Sequence, residues 1–156
     1  MTDDRFIVRA APVPPPADPP VRGVDEAMIR RLVERFYDAA RTDDVLGPVF
    51  DAAIPDDAWP HHFDTLTAFW SSVMLKTGTY GGRPMPKHVA LPGLDDQHFV
   101  RWLGLFRRAA EEVLPPEAAA LFVARAERVG HSFRLGVKFH RGEHVSLVEP
   151  IQAPVI

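Results

Sequence analysis

The stretch Trp59-Pro-His-His-Phe-Asp-Thr-Leu-Thr-Ala-Phe-Trp70-Ser-Ser-Val-Met74 carries Trp59, His62, Phe63, Leu66, Phe69, Trp70, Val73 and Met74 on a single stripe. Steps of three and four residues place those side chains on one face of an α-helix. The pattern stops at Gly78, and Gly81, Gly82 and Pro84 rule out its continuation. Upstream, a second helical face runs Met28, Ile29, Leu32, Val33, Phe36, Tyr37 and Ala40, with Asp25 placed to cap it. Gly47 and Pro48 then mark a turn, with Phe50 just after it. Downstream of Asp95, the stripe Phe99, Trp102, Leu103, Phe106, Ala110 and Val113 ends at Pro115–Pro116. Pro116 suits the first turn of a last helix, whose stripe runs Ala118, Leu121, Phe122, Arg125, Ala126, Val129, Phe133 and Val137. Apart from the C-terminal tail, no segment alternates with a period of two. The body is therefore all-α, with four substantial helices and a proline-bracketed insert between the second and third.

That insert, Gly78 to Leu94, is too broken by glycine and proline for a long helix. It nevertheless spaces Met85, His88, Val89 and Leu91 at about one turn, which predicts a short helix. At the N-terminus, six of the 16 prolines fall between Pro12 and Pro20, so residues 1–22 are expected to form a flexible or surface-draped leader. Residues 23–140 form the helical domain. The tail, 141–156, mixes polar residues with Val145, Leu147, Val148, Ile151 and Val155, and either stays disordered or lays an extended apolar strip on the body.

Composition narrows the function classes. Acidic and basic residues are mixed, with a net charge of -3 and no basic block, so nucleic acid and anionic membranes are not expected partners. The chain has no cysteine, which excludes disulfides, zinc thiolates, iron–sulfur clusters, thiol nucleophiles and covalent haem attachment through Cys-x-x-Cys-His. No signal peptide and no apolar run of roughly 20 residues is present, so a cytoplasmic location is the default expectation.

Among the seven histidines, His131, His140 and His144, at or beyond the end of the last helix, and His98, near the start of the third, are expected to face solvent. His61 and His62 diverge by about 100° on their helix and cannot readily share a metal. There is no HExxH pair and no carboxylate spaced to complete a zinc site. No phosphate-binding loop or GxSxG elbow occurs, and Ser71 and Ser72 read as helix surface. His62, on an apolar face, is either a packed residue or a ligand. His88, mounted between Pro84, Pro86 and Pro92, suits a metal ligand, although prolines bracket short helices for other reasons too. Tyr37 and Trp102, directed inward with His62, bring polar tips into an apolar setting. Leaving such groups unsatisfied costs about 1–3 kcal/mol each, so a polar ligand accounts for them better than packing does.

Three runs together resemble the group III truncated haemoglobins: Trp59-Pro-His-His-Phe-Asp-Thr-Leu-Thr-Ala-Phe-Trp70, then Tyr80-Gly-Gly-Arg-Pro-Met-Pro-Lys-His88-Val-Ala-Leu-Pro92, then Phe99-Val-Arg-Trp102-Leu-Gly-Leu-Phe106. Phe36-Tyr37 and Leu46-Gly47-Pro48-Val49-Phe50 match as well, and the likeness extends over roughly residues 24–138. It implies a shortened globin fold, two helices over two, enclosing haem b (iron protoporphyrin IX). His88 would be the iron ligand, with its other ring N–H held by a backbone carbonyl. Phe50 would pack on the haem face, and Tyr37, His62 and Trp102 would form the distal wall. Arg83 and Lys87 are the candidate partners for the haem carboxylates. Gly81-Gly82, just before the ligand segment, would supply backbone flexibility.

The resemblance further implies oxygen binding or transport, with dioxygen, nitric oxide or another diatomic molecule as the ligand. Tyr37 O–H and Trp102 N–H would donate to its partial negative charge, while His62 donates or gates. Nitric oxide dioxygenation or peroxide turnover is the enzymatic variant, and would need a separate reductase. A haemless helical recognition module is the competing reading. It would be favoured if Tyr37 or Phe50 were missing, and both are present.

Overall fold

The computed structural model describes residues 19–156, and among them every regular element is helical. Helix α1 spans Glu26–Thr42; the Asp25 carboxylate accepts the Met28 N–H at 2.8 Å and supplies the cap. Its inward face is Ile29, Leu32, Val33, Phe36, Tyr37 and Ala40, the stripe read from the sequence. At Gly47–Pro48 the structure corrects that reading, since a short helix, α2 (Gly47–Ala53), replaces the expected turn. Pro48 lies in its first turn, where a missing N–H costs nothing. Gly47 is needed there for closeness, because a Cβ would sit 2.8 Å from the Arg41 carbonyl oxygen.

After a 3₁₀ turn at Asp56–Ala58, α3 runs Trp59–Trp70 and widens into a π-helical turn, Ser71–Leu75, that ends at left-handed Lys76. Helix α4 is the short Pro84–Val89, α5 spans Asp96–Val113 and α6 spans Pro116–His140. The prolines that stop α5 and open α6 stand where the sequence puts them.

Helix α1 packs on both α3 and α5, α5 lies along α6, and α4 rests on α6. The main core runs between these layers, and Phe122, Ile29, Leu32 and Leu103 are among its fully buried side chains. A smaller cluster of Leu94, Phe99 and Val137 closes the end near α4. Most of the proline-rich segment lies outside the described residues; of its last part, the Val21 N–H donates to the Met74 carbonyl at 2.9 Å.

The C-terminal tail lies on the body without helix or strand. Ala153 is buried, its carbonyl accepts from Arg107 at 3.0 Å, and the Glu149 carbonyl accepts from Arg134 at 2.6 Å. Gly104 makes the seat: a Cβ there would meet Pro154 at 3.1 Å and Ile156 at 3.3 Å. None of the helices among the described residues is long and apolar enough to cross a membrane.

Candidate functional site

The packed helices leave an apolar cleft with a free volume of about 130 Å³. Its walls come from α1 (Val33, Phe36), Leu46 just before α2, α2 (Val49, Phe50), α3 (Leu66, Phe69, Trp70) and α5–α6 (Phe99, Phe133). Six lining residues carry polar side-chain atoms: Tyr37, Trp70, Tyr80, His88, His98 and Trp102.

His88 stands on α4 with its ring stacked on Phe133, centroids 4.1 Å apart and planes at 15°. Its Nδ1 lies 2.8 Å from the Pro84 carbonyl oxygen. A carbonyl only accepts, so Nδ1 carries the proton and donates, which leaves the Nε2 lone pair uncommitted in the neutral ring. Burial holds the imidazole below its usual pKa; the Pro84 contact opposes this, and the Lys87 charge adds to it. The neutral state follows from burial, and the tautomer from Pro84.

Tyr37 is fixed by aromatic rings: Phe36 at 4.8 Å, and Phe50, Trp59 and His62 at 5.3 Å each. Burial raises its phenol pKa, so the hydroxyl keeps its proton and remains a donor. Its oxygen is 3.4 Å from His62 Nε2, a long and weak contact. His62 itself stands behind Tyr37 and outside the cleft lining. Burial, joined by the charges of Lys87, His88 and His61, pushes its imidazole down to about 4, so it is neutral near pH 7. Trp102 rests edge-on against Phe36 and is stacked on Phe106.

Of the residues singled out from sequence, Tyr37, Phe50, His88 and Trp102 meet at the cleft, and His62 reaches it through Tyr37. Arg83 and Lys87 are exposed and contribute nothing to its lining. Several expectations are corrected. His98 is mostly buried, at 13% exposure, because it caps α5: its Nδ1 accepts the Asp95 N–H at 3.1 Å, and the ring faces the cleft. Its spacing of four from Trp102 was the available signal. His131 is partly buried, with Nδ1 inside the protein and no hydrogen-bond partner. Ser71 is 1% exposed rather than on the surface, at the point where α3 passes into the π-helical turn. At Gly82 a Cβ would fall 2.6 Å from the hydroxyl of Tyr80, which lines the cleft, so the folded Tyr80 occupies space a side chain there would take. Tyr80 lies in a loop without periodicity, and no local pattern announced it.

Among the described residues, no three of His, Cys, Asp and Glu gather as a metal site. The cleft offers two imidazoles instead, His98 with its Nδ1 engaged in the α5 cap and His88 with its Nδ1 on the Pro84 carbonyl.

The chain is 33% identical over 113 residues to the Group 3 truncated hemoglobin ctb of Campylobacter jejuni, an alignment covering 71% of this chain and 89% of the relative. It is a member of the group III truncated haemoglobin family. The crystal structure of a group III truncated haemoglobin from Campylobacter jejuni matches its fold with a TM-score of 0.68 at 32% identity, covering 74% of this chain and 92% of that one. No family model matches the chain. The all-α architecture is thus that of a truncated globin, and membership in the family supports a globin-type, haem-binding role.

Proposed function

We propose that this truncated haemoglobin holds haem b through His88 and binds a diatomic molecule reversibly beneath Tyr37 and Trp102. The observation that carries this reading is the 2.8 Å contact from His88 Nδ1 to the Pro84 carbonyl. It fixes the tautomer whose Nε2 can ligate iron, and it orients the ring as backbone carbonyls do for metal-bound imidazoles. The walls fit the group as well. A flat, largely apolar cofactor suits a slot lined by Phe50, Phe69, Phe99 and Phe133. With no cysteine in the chain, attachment would be non-covalent.

Haem iron, when bound, supplies reversible ligation of dioxygen, nitric oxide or a similar molecule. The protein's part is to place donors and exclude water. Tyr37 O–H and Trp102 N–H are donors, and Trp can act only as one. Neutral His62 holds its ring against Tyr37 and limits where the hydroxyl can turn. Arg83 and Lys87, exposed on and beside α4, are the cations available to the haem carboxylates at the mouth. The two donors at the cleft, Tyr37 and Trp102, with His62 against Tyr37, also favour a second use, slow ligand release coupled to redox turnover of nitric oxide or peroxide. That use requires a separate reductase.

Absorption spectra of the haem-supplemented protein beside His88→Ala test the proposal. The native chain should show a Soret band with the signature of one histidine ligand in the ferrous form, and the variant should lose that signature while staying helical. Absence of the band in the native chain would favour a haemless module, and unchanged spectra in the variant would remove His88 from its role.

A further inference from the structure

We infer that Asp43 and Arg101 form a positioning clip that holds the distal wall of the cleft in place by tying the start of α2 to α5. The inference rests on the ligand-binding role proposed above. Asp43 follows α1 with its side chain only 3% exposed, an expensive place for a carboxylate unless donors surround it. They do. One oxygen accepts the N–H groups of Val45 and Leu46, both at 3.0 Å, and the other accepts from Arg101 Nε at 2.6 Å. Burial pushes the Asp43 carboxyl up, but these hydrogen bonds and the guanidinium charge outweigh it, and the group stays below its ordinary range.

A neutral Asn or Ser could cap a turn of this kind. The buried charge is explained by Arg101, which approaches from α5 and is 45% exposed. What the clip joins gives it a role at the site. On one side, Leu46 just before α2 and Val49 and Phe50 on it form one wall, and the Phe50 ring sits 5.3 Å from Tyr37. On the other, Arg101 immediately precedes Trp102. The Gly47 N–H also donates to the Asp43 carbonyl at 2.8 Å, and the missing Gly47 Cβ lets α2 seat directly against the end of α1. The turn and α2 therefore have little slack. A change at Asp43 passes to Phe50, and through it to the Tyr37 hydroxyl. Asp43 and Arg101 are positioning residues that touch no ligand.

The test uses the haem-loaded full chain with carbon monoxide as the probe. Arg101→Gln removes the charge. Asp43→Asn keeps a carbonyl oxygen for Val45 and Leu46 but turns an N–H₂ toward Arg101. Both variants should retain the native Soret band, release carbon monoxide about three- to tenfold faster, and broaden or split the C–O stretching band, as loss of a fixed donor requires. Arg101→Lys should recover part of the native rate, and the double variant should match the single ones. Arg107→Gln is the control: it breaks a pair with Glu111 and a bond to the tail on the same helix, away from α2, and should leave rate and band unchanged. Native release and an unaltered band in Arg101→Gln would overturn the clip, as would an equal effect from Arg107→Gln. If Asp43→Asn does not fold, the half-exposed Arg101 position decides. If the native chain takes up no haem, the proposed function fails first, which separates the two failures.

Discussion

Tyr37→Phe removes one oxygen from the distal wall and nothing else. The ring of Tyr37 is held by contacts to Phe36, Phe50, Trp59, His62 and Phe63, and phenylalanine keeps all of them. The hydroxyl's own contact, 3.4 Å to His62, is too long to contribute much to the fold. The substitution should therefore change stability by no more than about 0.5 kcal/mol. Ligand release is another matter, because there the hydroxyl is the proposed donor. A net hydrogen bond of about 0.5–1.5 kcal/mol corresponds to release that is roughly 2- to 13-fold faster in the variant. Stopped-flow dissociation of dioxygen, with thermal unfolding measured in parallel, reads both quantities. Unchanged release with unchanged stability would refute the donor role. A large loss of stability would show instead that the 3.4 Å contact underestimates the hydroxyl's structural part.

Phe122→Ala removes a fully buried ring stacked near Trp70; it should cost about 3–5 kcal/mol and lower Tm by roughly 6–20 °C in a chain of this size, measured by circular dichroism. Gly104→Leu should push Pro154 and Ile156 off α5 and expose residues 144–156 to limited proteolysis, whereas Gly130→Ala, whose Cβ would make ordinary 3.6 Å contacts with Leu103 and Trp102, should leave the tail protected and gain about 0.5–1 kcal/mol of helix stability. The Asp96 carboxyl is held below its usual range, chiefly by hydrogen bonds from Arg134 at 2.7 and 2.9 Å and then by the charges of Arg134 and Lys138. A lowered folded-state pKa means this stabilisation is complete above the unfolded carboxyl value near 4 and is lost as pH falls through the lower folded value. Urea midpoints should accordingly drop below pH 4 in the native protein, and Asp96→Asn should lack that part of the drop.

Much of the helical body was contained in the order of residues. A helical face is a local property, so α1, α3, α5 and α6 follow from apolar spacing, from the cap at Asp25 and from prolines at 115 and 116. The family motifs around His62, His88 and Trp102 are strings of residues, so the likeness is carried by the sequence itself. The structure decided what apolar periodicity does not carry, whether the partner stands a few residues away or far along the chain. His98, in the cap with Asp95, and Tyr80, folded over Gly82, line the cleft, and Ser71 is buried where the π-helical turn begins. The tail's seat on Gly104 and the approach of Arg101 to Asp43 across 58 residues are long-range packing outcomes that no window of sequence encodes. His88 shows the division most clearly. Its position between prolines and, by the family likeness, a backbone carbonyl on its other ring N–H were expected from sequence, while the structure identified that carbonyl as Pro84, one turn back on α4.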